Sequence, residues 1–521
     1  MELQREGNPF YRFCSAAAIA LILAVFLALS LIGAYSTCVV EIGYSADNDE
    51  HVAFLADSVF WNVLALAAGA AFVWLLNRLH ATARMDNLAA AVVFLILTVF
   101  GIFWVVGARA LPYADSQSIL LVAEQLAAGN VQALTQTDYF SVFPFQLGYL
   151  LYAEGFFRIF GTETARMAMA VANVLWVDAA YLSLLMLTKR LFPSPKVARI
   201  TVALLGLCWQ PVFLSTFLYG FLPGMALALW GVYFVVRYLQ RGSVWNLALA
   251  SALLAMAIVL KKNYVLVLLA CGIVLLLHTM NLKRLLTLAG IALMAAMAIV
   301  LPKAVQRGYE QRAGAQFGSG TPLTAWLVTG VSESSFCSGW YGSYTTTVLR
   351  DSGFDQQAAK EAIRLELSEQ LEKFSGRPRY LAAFFYHKIV SQWNEPMFQS
   401  IWSSATSAHA APPAAWVEEL YSGTAGQFVS NWCNNTVEFI YAGFAAAMWL
   451  MLRKPERRGK RTIHLPRREE QLILPVVVLG AFLYHAIFEA KSQYAVVYLP
   501  MMIPFAAAAC QQLTDRHARA D

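Results

Sequence analysis

The sequence predicts an all-α polytopic membrane protein with about twelve transmembrane helices. Of its 521 residues, 59% are hydrophobic and only 13% charged, whereas soluble domains sit nearer about 45–50% and about 25%. The apolar excess falls in blocks. Segment 14–35, CSAAAIALILAVFLALSLIGAY, carries no charge over more than the ~20 positions a helix needs to cross the hydrocarbon. The short connections between blocks also alternate in charge, which is the pattern that orients helices in a membrane.

Block 14–35 is too long for the apolar stretch of a signal peptide, lacks a convincing cleavage site and is followed by many similar blocks. It reads as a retained anchor. Further crossings are expected at 58–77, 88–108, 165–188, 199–217, 219–238, 244–260, 264–280, 285–304, 436–452, 471–488 and 494–511. With the N-terminus inside, near Arg5 and Arg12, the inward connections are 80–84, 188–199, 237–243, 281–284, 453–468 and the tail with Arg516 and Arg519. Every one is basic, so both termini are expected on the cytoplasmic side of a cell membrane. The net charge of +6 is densest in the run from Arg453 to Arg468, a membrane-loop signature that removes nucleic acid as an implied partner. The outward connection 41–51 is acidic. This alternation requires that 140–161, which carries Pro144, Glu154 and Arg158, does not cross. It is assigned as an interfacial helix.

Four regions follow: an N-terminal helical hairpin (1–87), a membrane core (88–304) with an outer loop at 109–164, an extracytoplasmic helical insert (305–435) and C-terminal transmembrane helices (436–521). Both outward segments are too long to be mere connectors. Within the insert, 354–374 has helical apolar spacing, and Trp326, Trp340, Tyr341, Trp393 and Trp402 add aromatic surface. Seven cysteines show no metal-ligand spacing. Cys14, Cys208, Cys271 and Cys510 lie in or beside apolar spans; Cys38, Cys337 and Cys433 are expected outward, which leaves a Cys337–Cys433 bridge open.

Charges that break membrane rules are functional candidates, and most map to the outward side. Asp115 follows the outer end of 88–108; it is either the N-cap of the next helix or a general base at the membrane surface. Lys261 and Lys262 join two spans against the positive-inside bias, either snorkelling to lipid or holding a phosphate as point charges. Glu489, Lys491 and Tyr494 put polar groups into the turn between the last two spans, either as structural partners or as part of a site. Asp178, with Asn173, lies inside a span and is read as a hydrogen-bonded structural group. Asp47, Asp49, Glu50 and His51 leave a divalent cation open, although an acidic loop this short is ordinarily solvated surface; no metal site is assigned. Phosphate-loop, dinucleotide, zinc-protease and nucleophile-elbow signatures are absent, so an ATP-driven machine is not expected.

The order of these features resembles the GT-C glycosyltransferases, the class containing protein O-mannosyltransferases and lipid A aminoarabinose transferases. The resemblance spans most of the chain and rests on several motifs. Asp115 precedes Ala123-Glu124-Gln125-Leu126-Ala127-Ala128-Gly129. A second surface helix carries Tyr139-Phe140, Pro144, Gly148-Tyr149 and Phe160-Gly161. An inner loop reads Lys189-Arg190-Leu191-Phe192. Lys261 and Lys262 fall in a later outward turn, and the last turn holds Glu489, Lys491, Tyr494 and Pro500. The chain departs from the pattern in its two leading spans, its lone Pro144 and Gln493 where an arginine is usual.

The resemblance implies an inverting enzyme of the bacterial cell-envelope type. A polyprenyl-phosphate sugar would be the donor, and a cell-envelope glycan, polymer or protein the acceptor. Asp115 would be the catalytic base, and Lys261, Lys262 and Lys491 the donor-phosphate ligands. Glu489, Tyr494, Tyr139 and Gln146 would support them, with the insert presenting the acceptor. A lipid-sugar flippase or secondary transporter is the rival reading; such proteins usually carry internal repeats and midplane charges, and no repeat is evident here.

Overall fold

A computed structural model describes residues 9–43, 50–279, 284–453, 456–458 and 461–515. The chain is a mostly helical, multi-pass membrane protein: among the described residues, nine helices are long and apolar enough to cross a bilayer, or ten counting one bent pair. The first is α1 (Pro9–Gly33). A short ribbon follows, β1 (Ser36–Val40) antiparallel to β2 (Val52–Ala56), with Cys38 opposite Phe54. The all-helical expectation missed this ribbon and a second one, Glu456–Arg458 with Arg461–Ile463. Next come α2 (Val59–Arg78), started by Ser58 accepting from the Trp61 amide, and α3 (Ala83–Ala108), started by Thr82 in the same way. Then comes α4 (Ala114–Ala127).

Helix α5 (Leu147–Leu191) joins the expected surface helix 140–161 to the following span. The apolar stretch Pro144–Leu191 has 48 residues, roughly 70 Å as one straight helix, more than twice the ~30 Å hydrocarbon thickness. The break falls at Gly161, whose φ of 75° and ψ of 168° suit glycine almost alone.

The crossing expected at 199–217 is broken. Helix α6 (Pro195–Leu207) and Gln210–Thr216 meet at 42°. Pro211 cannot donate into a continuous helix. The Tyr181 hydroxyl donates to the Cys208 carbonyl at 2.6 Å and the Trp432 indole to that of Leu207 at 3.4 Å, which answers carbonyls that lipid would leave unpaired.

Helices α7 (Phe221–Arg241), α8 (Val244–Leu260), α9 (Val265–Thr279) and α10 (Arg284–Ala313) follow. Helix α7 is the hub: 83% of its apolar window is buried, against 11% for α2. After the insert come α15 (Thr424–Leu452), α16 (Glu469–Ile487) and α17 (Leu499–Thr514). Two of the twelve expected crossings are short, α8 with 17 residues and α17 with 16; each rises only ~25 Å. They pack inside the bundle, α8 between α7 and α10 and α17 against α15. Among the described residues the count is therefore nine or ten by length and apolarity, where twelve crossings were expected.

The basic connections gather at one end, tied by Arg199–Asp86 at 2.7 Å, Lys196–Asp515 at 3.0 Å and His278–Glu469 at 2.5 Å. Residues 281–283, Lys454, Lys460, Arg516 and Arg519 of that expectation lie outside the described residues.

The opposite end carries the insert: α11 (Thr324–Val331), α12 (Tyr344–Asp351), α13 (Gln356–Phe374) and α14 (Pro378–Trp393). Helix α13 begins at Asp355, whose side chain accepts from the Gln357 and Ala358 amides; it matches the expected 354–374. All seven cysteines are free. Cys337 packs with Cys38 in a small insert-side cluster, whereas Cys433 sits in the main core, so the Cys337–Cys433 bridge is not formed.

Candidate active site

A cavity of about 620 Å³ opens at the insert-bearing end. Six separate stretches of chain supply the polar groups described below.

Asp115 is the second residue of α4. Tyr113, extended and without a side-chain cap bond, holds the cap position, so the reading of Asp115 as the N-cap is incorrect. Its carboxylate instead faces the cavity and its Oδ2 accepts from the Tyr219 hydroxyl at 3.2 Å. The Gln146 amide donates to the same hydroxyl, making a relay from Gln146 through Tyr219 to Asp115. Tyr139 lies behind this wall, not on it. Burial, then the nearby Asp115 charge, pushes its phenol well above the ordinary range.

Lys261 ends α8, and the turn beneath it depends on Gly220. A β-carbon there would come within 2.0 Å of the Leu260 carbonyl oxygen and 3.2 Å of Lys261 Cβ. The close approach places Lys261 Nζ 4.0 Å above the Tyr219 ring, 4.6 Å from Phe221 and 5.9 Å from Tyr494. Desolvation holds the amine down at about 8; Asp115 and Glu489 pull it up and Lys491 pushes it down. Lys262 is more exposed, with Nζ 5.3 Å over the Phe145 ring. Among the described residues neither lysine has an ion pair.

The turn after α16 brings the rest. Glu489 is buried; its Oε1 accepts from Tyr494 at 2.6 Å and its Oε2 has no partner. Burial raises its carboxyl pKa, with Tyr494 and Lys491 opposing. Lys491 donates to Glu50, delivered by the β1–β2 ribbon. Of the four-residue cation grouping, Asp47 and Asp49 lie outside the described residues, Glu50 is taken by Lys491, and His51 pairs with Glu41 at 2.7 Å. No group of three or more potential ligands is arranged for a metal among the described residues.

Trp326, Tyr341 and Trp402 reach the cavity wall; Trp340 and Trp393 are buried elsewhere. Asp178 does not reach it. It accepts from Thr98 at 2.5 Å, and Asn173 donates to the Ser215 and Phe217 carbonyls, so both are structural. Tyr219 and the paired role of Glu50 escaped the sequence reading. Tyr219 sits in an uncharged F-L-Y-G-F run whose only signal is an aromatic–glycine turn between spans. With Asp115, Glu489 and Glu50 against Lys261, Lys262 and Lys491, the cavity holds three carboxylates and three amines around an aromatic floor.

No family model matches the chain, and no curated protein matches it in sequence. Among solved structures, it is similar to the archaeal oligosaccharyltransferase AglB from Archaeoglobus fulgidus, solved in complex with an inhibitory peptide and a dolichol-phosphate. The TM-score is 0.40 at 12% identity, covering 82% of this chain and 51% of that one. The chain thus spans about half the length of that protein, and so loose a likeness settles neither family nor chemistry.

Proposed function

We propose that the chain is an inverting glycosyltransferase of GT-C type that moves a sugar from a polyprenyl-phosphate donor to a hydroxyl of a cell-envelope acceptor, on the extracytoplasmic face. The observation that supports this best is the convergence of Asp115, Lys261, Lys262 and Glu489 on one cavity from parts of the chain far apart in sequence. Among the described residues most basic connections lie at the other end, with the Lys261–Lys262 turn the exception, and this supports placing this end outside.

In this reading the donor phosphate sits against Lys261 and Lys262, neither of which is ion-paired among the described residues. Asp115 accepts the proton of the acceptor hydroxyl as its oxygen attacks the anomeric carbon. The bond from that carbon to the phosphate oxygen breaks with its electron pair, and polyprenyl phosphate leaves. The two lysines offset the charge that gathers on the leaving oxygen. A leaving phosphate needs no protonation, so one carboxylate suffices, unlike the pair that flanks a hydrolysed glycosidic bond. Lys491 joins the phosphate only by loosening its pair with Glu50. Trp326, Tyr341 and Trp402 offer faces on which sugar rings stack.

Purified protein in lipid vesicles, given polyprenyl-phosphate hexose and a cell-envelope extract as acceptor, should release polyprenyl phosphate. The wild type releasing none across sugars and acceptors would defeat this reading and favour a flippase or transporter.

A further inference from the structure

We infer that Lys388 is a positioning residue that clamps the Phe488–Lys491 turn to the insert and so fixes Glu489 and Lys491 in the cavity. The clamp stands on geometry independent of any function; its effect on turnover rests on the transferase reading.

Lys388 lies on α14 and is fully buried, at 0% exposure. Its Nζ donates to the Gly330 carbonyl and to that of Phe488 at 2.9 Å. The first belongs to the insert and the second to the turn. Around it the two segments are stitched through the backbone. The Glu489 amide donates to Trp326 at 3.0 Å and the Ala490 amide to Gly339 at 2.8 Å, while Gln392 Nε2 donates to the Lys491 carbonyl at 3.4 Å. Every residue from Phe488 to Lys491 is therefore bonded to the insert. Contact this close requires Gly330, where a β-carbon would lie 2.2 Å from the Ile487 carbonyl oxygen.

An aliphatic side chain at 388 would fill the space yet leave two buried carbonyls without this donor, each a costly loss. A lysine buried so deeply pays in charge as well; burial lowers its pKa to about 7, with Glu489 pulling it up. A merely space-filling position has no need of such a group. A turn that must carry one acid and one amine into a cavity does, because the insert then moves only together with the donor side of the site.

The test uses the full chain in nanodiscs, with amide hydrogen exchange and donor kinetics. K388M should speed exchange of the Glu489 and Ala490 amides roughly tenfold while α15 keeps its protection, whereas general destabilisation would raise exchange throughout. Donor KM should rise roughly tenfold with a smaller change in kcat, and K388R, which retains donors to both carbonyls, should recover part of each. G330A keeps Lys388 but forces the insert from the turn, and should reproduce the pattern; if K388M does not fold, G330A decides. Wild-type exchange at 489–490 in the folded variants overturns the clamp. Unchanged donor KM despite fast exchange overturns its bearing on the site. A wild type without turnover defeats the transferase reading, and exchange alone still decides the clamp.

Discussion

Lys261 Nζ stands 4.0 Å above the Tyr219 ring, and the hydroxyl of that ring donates to Asp115 at 3.2 Å. One aromatic side chain thus spaces the acid from the amine. The ring face offers a buried ammonium about 0.5–2 kcal/mol, well short of what removal from water costs it. The amine is left with capacity for an anion, and the acid is held by a hydrogen bond that leaves its other oxygen available.

Two replacements of Tyr219 should therefore separate its roles. Tyr219→Phe keeps the ring under Lys261 and loses the bond to Asp115, so kcat should fall a few-fold with donor KM nearly unchanged. Tyr219→Ala loses both, and donor KM should also rise, by roughly tenfold if the ring contributes about 1.4 kcal/mol. Steady-state kinetics of polyprenyl-phosphate release measure both. Identical behaviour of the two variants would deny the ring its role beneath Lys261.

Asp115→Asn preserves size and much of the hydrogen bonding but cannot accept a proton at neutral pH. Turnover should fall by roughly 10²–10⁴, while donor binding, followed by quenching of cavity tryptophan fluorescence, stays within about threefold. Full activity in this variant would remove Asp115 from the chemistry.

The sequence carries the membrane architecture and the polar wall because both depend on single residues in the wrong medium. Asp115, Lys261, Lys262, Glu489 and Lys491 are legible one by one, since a charge beside lipid is expensive wherever it falls. What brings them together is not. Gly220 packing on Leu260, and Tyr219 lying under Lys261, are contacts about forty positions apart in which the glycine and the tyrosine are neutral, with no periodicity to mark them. The ribbon that brings Glu50 to Lys491 was hidden for a related reason: five-residue strands flanking an acidic loop have too few alternations to stand out. The break at Pro211 went unread, because its apolar neighbours let 199–217 pass as one crossing.

Gly161 makes a separate prediction about stability. Its backbone lies where only glycine rests comfortably, yet a β-carbon there would touch nothing within 4 Å. Gly161→Ala should thus cost about 1–3 kcal/mol of backbone strain alone, seen as a lowered melting temperature in detergent. Gly155 also has open space around it but sits in the regular part of α5. Gly155→Ala should be neutral or stabilising by up to about 1 kcal/mol. Equal effects at the two positions would mean that the chain does not turn at Gly161.

Donor affinity should depend on pH through Lys261. Its amine is held down to about 8 from its ordinary 10.5, chiefly by desolvation. Below about 8 it is charged and attracts the phosphate; as pH rises through that value the charge is lost, and donor KM should climb by up to tenfold per unit until Lys262 alone sets it. Folding stability moves the other way. Between about 8 and 10.5 the unfolded chain holds a proton that the folded chain has released, so the ligand-free protein gains stability from this group as pH rises across that window. A bound phosphate favours the charged amine and opposes that gain. Arginine stays charged throughout, so Lys261→Arg should flatten the KM profile from about pH 6 to about 9.5. If the same rise persists in Lys261→Arg, a different group titrates and Lys261 does not hold the phosphate.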